Sequence, residues 1–274
     1  MVPIASMVGM GVSLAISMLV PLVALVWLMT RKGEGRERRY PQLGRSFACG
    51  MLAFALSQVL TRLPLMAYLS TLQQPWAQFL VSAPVASYTA GLFEETGRLL
   101  IMLWLLRRFH RWVDGVSFGL GHGGLEAILL VGLSSVTNLA LAMMINAGQT
   151  PVGVPAAALE ALKASLTTTP SEIFYLAGVE RMSAIALHVG LSVLVLWGIT
   201  AGRRLFGWTM AVLIHGTANL AVVLTASVAP VLVAEIVLLA LVAAFWVLFV
   251  WRSRAWFPVA IVPEAAAPGK PGRG

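Results

Sequence analysis

Val231-Leu-Val-Ala-Glu-Ile-Val-Leu-Leu-Ala-Leu-Val-Ala-Ala-Phe-Trp-Val-Leu-Phe-Val250 runs for 20 residues with Glu235 as its single charge. At 1.5 Å per residue such a run matches the roughly 30 Å hydrocarbon core of a bilayer, so it reads as a transmembrane helix. Runs of the same kind recur along the 274 residues, and the whole chain is 59% hydrophobic and only 11% charged. A soluble domain of that length could not hide this much apolar surface in one core, so lipid is the expected solvent. A window near 20 residues predicts seven helices, at 3–29, 44–66, 77–106, 116–146, 179–200, 207–226 and 229–251. The fold class expected is therefore all-α: a polytopic helical membrane protein with one transmembrane domain over 1–257. The third and fourth runs are longer than a bilayer needs, which predicts tilt, protrusion or a break near their polar residues. The first run is too long for a signal-peptide core and reads as a retained helix. From Pro258 the chain is rich in Pro, Ala and Gly, which reads as a disordered cytoplasmic tail over 258–274.

The net charge is +8, yet the basic residues form no nucleic-acid-binding module, and no nucleic-acid partner is expected. They collect instead in alternate loops. Arg31, Lys32, Arg36, Arg38, Arg39 and Arg45 follow the first helix, Arg107, Arg108 and Arg111 the third, Arg203 and Arg204 the fifth, Arg252 and Arg254 the seventh. The opposite loops hold Lys163 alone, so the positive-inside rule predicts the N-terminus outside and the C-terminus in the cytoplasm of a cell membrane. Ala156-Ala-Ala-Leu-Glu-Ala-Leu-Lys-Ala164, in the long outer loop, reads as a short helix covering the outer face. Cys49 is the one cysteine, which leaves no disulfide framework and no Cys-based zinc site. No internal repeat stands out, which counts against an inverted-repeat transporter.

Charges within the spans are the chemical signal. Phe93-Glu94-Glu95-Thr96-Gly97-Arg98 places two carboxylates and an arginine mid-helix, each costing roughly 2.5–3.5 kcal/mol to insert unpaired. Their i,i+3 and i,i+4 spacing lets one guanidinium reach both carboxylates. Phe118-Gly-Leu-Gly-His122-Gly-Gly-Leu-Glu126 puts His122 and Glu126 on one face, amid glycines that admit another backbone or a substrate. His188 with Ser192, and His215 with Asn219, repeat the one-turn spacing on two later helices. Counted inward from the cytoplasmic ends at 1.5 Å per residue, Glu94 lies about 20 Å deep, His122 about 12 Å, His215 about 16 Å and His188 about 22 Å, which places them in one layer. His110 falls in a basic loop and needs no special role. Arg62, Glu180, Arg181 and Glu235 read as snorkelling or structural, with Glu180 and Arg181 in reach of orienting His188. Such a layer suits either hydrolysis, with a base beside a water and donors aimed at a developing oxyanion, or a transporter or proton relay. No Ser-His-Asp or Cys-His pair is evident; Ser192 is the one hydroxyl a turn from a histidine.

Glu94-Glu95-x-x-Arg98, Phe118-x-x-x-His122 and His215-x-x-x-Asn219 resemble, in order, the motifs of the CPBP (ABI) intramembrane proteases, which include the type II CAAX prenyl endopeptidases. The phrase around His122, followed by Glu180-Arg181 and His188, is more similar still to the YhfC family of proposed membrane peptidases. The likeness covers the third to sixth helices, about half the chain. It implies an endopeptidase that cuts a membrane peptide or lipidated protein, in which Glu94 activates water with help from His122. His215 and Asn219 would then hold the oxyanion, and Arg98 would orient Glu94 and Glu95. The chain departs from the prenyl endopeptidases in having seven spans rather than eight, and in adding Glu126 and His188. Those additions bring a metal into view, because His122, His188 and His215 with a glutamate make a zinc set with an open position for water. Metal-bound and glutamate-activated water both stay open on these residues.

Overall fold

The computed structural model describes residues 1–30, 42–107, 111–149 and 155–257. Most of the basic loop after the first helix, Arg108, His110 and the tail from Pro258 lie outside the described residues. Among the described residues there is no strand. The helices are α1 Ile4–Thr30, α2 Leu43–Thr71, α3 Pro75–Val81, α4 Ala83–Leu105, α5 Trp112–Asn146, α6 Ala156–Thr168, α7 Ser171–Thr200, α8 Arg204–Val228 and α9 Val231–Trp256. Six of them (α1, α2, α5, α7, α8 and α9) are long and apolar enough to cross a membrane, so the protein is a polytopic all-α membrane protein. At 23 residues α4 has the length of a span too, but Glu94, Glu95 and Arg98 lie within it.

Local chemistry sets where the helices start and stop. Pro155, Pro170 and Pro230 each stand immediately before a helix in extended conformation, and α6, α7 and α9 begin on the next residue. The apolar run at 77–106 is cut in two at Ser82, whose extended backbone precedes Pro84 at the second position of α4. Of the tilt, protrusion or break near the polar residues that the length predicted, this run shows a break, and proline chemistry puts it three turns before Glu94. In α5 the irregularity does fall beside a charge, as a π-turn over Ile128–Gly132 directly after Glu126. A second π-segment, Ala55–Arg62, widens α2 at the same level. At the end of α7, Gly202 takes φ +70°, and Arg203 N–H reaches Gly198 O at 2.7 Å, closing the helix with a Schellman turn.

The fifth span was expected at 179–200, whereas α7 begins eight residues earlier, at Ser171. Glu172, Glu180 and Arg181 depress the hydropathy of that first half, but Glu180 and Arg181 are paired and so stay within the helix. α7 is the axis of the bundle, and its side chains from Ala184 to Leu196 are mostly buried. The outer helices instead turn Trp27, Leu60, Leu133, Leu232 and Trp251 outward, as a lipid-facing surface requires. The helix read in the long loop is present as α6. Its Leu166 packs with Met10 of α1 and Ala142 of α5, so it sits at that corner of the bundle.

Below the His/Glu layer the helices meet backbone to backbone. A Cβ on Gly121 would lie 1.9 Å from Phe47 O of α2, and one on Gly119 would lie 2.3 Å from Val189 Cα of α7. Neither neighbour is a side-chain tip that can swing away. Gly121→Ala is therefore expected to cost about 1–3 kcal/mol through overpacking, read as a lower Tm and lower yield in mild detergent. An unchanged melting curve would contradict this contact.

Candidate active site

Four helices deliver the charged layer. Glu94 of α4 is 3% exposed and is held from two sides. His122 Nε2 of α5 lies 2.8 Å from its Oε2, and Gln58 of α2 donates its amide N–H to Oε1. His188 Nε2 of α7 stands 4.0 Å from Oε2, and His215 Nε2 of α8 stands 3.9 Å from Oε1. The three imidazoles are packed together, with ring centroids 4.6 Å apart for His122 and His188 and 5.1 Å for His188 and His215. The structure thus gathers Glu94, His122, His188 and His215 at one point from sequence positions 27 to 121 residues apart.

Adjacent residues take opposite tasks. Glu95 turns away from Glu94, accepts from His215 Nδ1 at 2.9 Å, and pairs with Arg98 Nε at 3.0 Å. Arg98 was read as reaching both carboxylates, but its guanidinium goes to Glu95 and then across to α7. There it donates to His188 O at 2.9 Å, Ser192 Oγ at 2.7 Å and His188 Nδ1 at 3.0 Å. The physical reason is that Glu94 already has His122 and Gln58 as donors, whereas His215 reaches one oxygen of Glu95 and leaves the other, with His188 Nδ1 and Ser192 Oγ, for the guanidinium. Ser192 is accordingly a prop for Arg98 and does not line the cavity described below. Glu126 shares a helical face with His122 but serves His188, whose Nε2 is 2.5 Å from its Oε2. Arg181 Nη1 bonds Glu126 Oε1 at 3.0 Å and also pairs with Glu180, so Glu180 and Arg181 reach His188 through Glu126.

Proton positions follow from these partners. An arginine only donates, so His188 Nδ1 accepts, and the proton of the neutral ring is on Nε2 beside Glu126. His215 donates from Nδ1 to Glu95, which leaves its Nε2 facing Glu94. His122 Nδ1 has no partner among the described residues.

One oxygen of Glu94 and one nitrogen each of His188 and His215 lie within 4.8 Å of one another, all three residues buried. Of the set expected from sequence, three histidines with a glutamate, the structure groups Glu94, His188 and His215, while His122 hydrogen-bonds the Glu94 carboxylate. In type and number the donors suit zinc with a position left for water. His215 has the carboxylate at its second nitrogen that commonly orients a metal-bound imidazole. His188 departs from that pattern, since its second nitrogen accepts from Arg98; ligation through Nε2 would move its proton onto Glu126.

Above this layer the helices part around a cavity of about 380 Å³. Its walls are residues 54–63 of α2, 83–94 of α4, 126–130 of α5, 180–188 of α7 and 215–223 of α8, with Leu238 of α9. These segments lie at the middle of their helices or toward the ends nearest the connections at 72–82, 147–170 and 229–230. Asn219 is on the wall one turn from His215, with no hydrogen-bond partner among the described residues. Gln58 and Arg62 also line the cavity, and the sequence reading passed over Gln58 entirely. The signal available was a glutamine in the apolar run Leu56–Leu60 one turn before an arginine, two polar groups sharing a face.

A helical membrane protein that buries glutamates and three histidines at the floor of a largely apolar cleft has the layout of a membrane-embedded hydrolase. Comparison with known proteins agrees: residues 16–247 match the family model described as YhfC intramembrane metalloprotease, and the chain belongs to that family. It is 36% identical over 233 residues to the uncharacterized membrane protein YhfC of Bacillus subtilis (strain 168), covering 82% of this chain and 86% of the relative. No solved structure matches it.

Proposed function

We propose that this protein is an intramembrane endopeptidase that hydrolyses a peptide bond of a membrane-bound or lipidated substrate with water activated at Glu94. The observation that carries the reading is the position of Glu94, at the floor of a cavity with room for water, with a histidine on each of three sides. Gln58 and His122 fix the carboxylate, so Glu94 meets a water in one orientation and takes its proton. Asn219 has an uncommitted amide on the wall and can donate to the oxyanion of the tetrahedral intermediate. A relay for protons would need a titratable group there, and an amide is not one. With α4 counted as a span there are seven, the described chain to Phe257 is one transmembrane domain, and the basic loops set the C-terminus in the cytoplasm of the cell membrane. On that orientation the cavity opens to the side away from the cytoplasm.

A zinc ion would be held by Glu94, His188 and His215, and would supply polarisation of the scissile carbonyl and acidification of a bound water. His215 makes the metal-bound and metal-free chemistries exclusive. With Nδ1–H given to Glu95, its Nε2 either offers a lone pair to a metal or, in the imidazolium, donates a proton to the oxyanion. Chelation separates the two. On the zinc reading, purified protein stripped of divalent metal loses cleavage to background and regains it with stoichiometric Zn²⁺. Full activity in metal-free buffer rules that reading out.

Membrane peptides from cells carrying the wild type and Glu94→Gln test the proposal as a whole. Substrates are expected to persist uncut with the variant and to appear as paired fragments with the wild type. Identical peptide sets would remove the protease reading.

A further inference from the structure

Arg62 is the arginine of this cavity that no carboxylate contacts among the described residues. Arg98 pairs with Glu95, and Arg181 pairs with Glu126 and Glu180. Arg62 has no carboxylate within 4 Å among the described residues. It does not reach for the membrane surface as a snorkelling side chain would. It turns inward, lines the cavity, and donates from Nη2 to Ala86 O at 2.6 Å and from Nη1 to Gln58 Oε1 at a long 3.3 Å. A guanidinium has five N–H donors, so two bonds leave three without a partner among the described residues, the Nε–H among them. A cation at this depth is expensive to hold with its charge uncompensated. The fold keeps it there by the bond to Ala86 and sets it one amide group from Glu94, because Gln58 touches Arg62 with its oxygen and Glu94 with its nitrogen. Its fork-shaped donor array matches the two oxygens of a carboxylate.

We infer that Arg62 is the substrate anchor of this cavity and takes a carboxylate carried by the peptide, either its C-terminus or an Asp or Glu side chain. The inference rests on reading the cavity as the peptide site and adds the substrate class to it. An extended chain advances about 3.5 Å per residue, and a single amide separates anchor from floor, so the carboxylate lies about one to two residues from the bond over Glu94. The remaining walls, from Phe54, Leu130, Leu187 and Val222, are apolar and suit the hydrophobic side chains of a membrane peptide. The substrate expected is thus an apolar segment ending in, or closely followed by, an acidic group.

The test is binding, so that it does not depend on cleavage. The probe is a dansylated apolar hexapeptide, made as the free acid, as the C-terminal amide, and as the amide with Asp or Asn at its penultimate position. Binding is measured by anisotropy to Glu94→Gln protein in micelles of zwitterionic lipid and detergent. The acid is expected to bind about tenfold or more tightly than the amide, with the ratio reduced by Arg62→Lys and close to one in Arg62→Gln. If the anchor reads a side chain instead, the Asp amide outbinds the Asn amide by that factor and the terminal acid shows no preference. Arg62 also bonds Ala86, so the ratio on protein with Arg62 intact is measured first and decides without the variants. Equal binding of all forms, no binding by any, or a preference that survives Arg62→Gln overturns the inference. Adding phosphatidylglycerol covers the remaining source of an anion: an Arg62-dependent lipid effect with no peptide preference gives the site to a headgroup and likewise overturns it. A clear acid preference without any Glu94-dependent cleavage by the wild type would leave the anchor standing and remove the protease.

Discussion

Glu94→Gln is expected to lower cleavage by roughly 10²–10⁴-fold, the range a positioned general base contributes, while leaving the fold in place. The substitution keeps the shape of the side chain and removes the charge and the basic oxygen. Its neighbours can adapt to the new amide. Gln58 can go on donating to the amide oxygen while its own oxygen still accepts from Arg62, and His122 can carry its proton on Nδ1 and accept from the new NH2 through Nε2. The amide at position 94 is then hydrogen-bonded on both sides, and Tm should stay within about 3 °C of the wild type. Glu95→Gln makes the contrasting control, because Glu95 neutralises Arg98 and orients His215. That variant should lose stability as well as activity. If Glu94→Gln cuts at more than about a tenth of the wild-type rate, the water is activated elsewhere.

The two variants differ because neighbouring glutamates look out on different partners, and this is where sequence reading stopped. Hydropathy located the apolar spans because bilayer thickness sets a length that can be counted along a chain. One-turn spacing brought His215 with Asn219 onto a single face, and counting inward from the cytoplasmic ends brought Glu94, His122, His188 and His215 to a common depth. What spacing within one helix cannot convey is which neighbouring helix a side chain meets. Glu94 and Glu95 both lie within reach of Arg98 on paper, yet the guanidinium goes to Glu95 and on to α7. Glu126 looks like the partner of His122, yet α7 passes close enough over Gly119 and Gly123 for His188 to take it. Gln58 was invisible for the same reason: its carboxylate partner is 36 residues away, on α4. The start of α7 was misplaced because Glu172 lowers the hydropathy of the stretch before 179, whereas the helix begins where Pro170 lets it, at Ser171.

Arg98→Met is expected to destabilise the protein by about 3–5 kcal/mol, the usual cost of removing one partner of a buried ion pair. Arg98 is fully buried and is the strap between α4 and α7. Methionine fills much of the volume but leaves the Glu95 carboxylate without its cation, and leaves His188 O, His188 Nδ1 and Ser192 Oγ without their donor. Loss of the strap also frees His188, so residual folded protein should be inactive. The double variant Arg98→Met/Glu95→Gln discriminates between charge and packing. Removing both charges should recover most of the lost stability, since a neutral pair no longer needs neutralising, yet activity should not return, because neither His188 nor His215 regains its orienting partner. Melting of detergent-solubilised protein, followed beside cleavage, reads both quantities. A single Arg98→Met variant that melts with the wild type would mean that Glu95 is balanced by another group and that the α4–α7 strap does not hold the layer together.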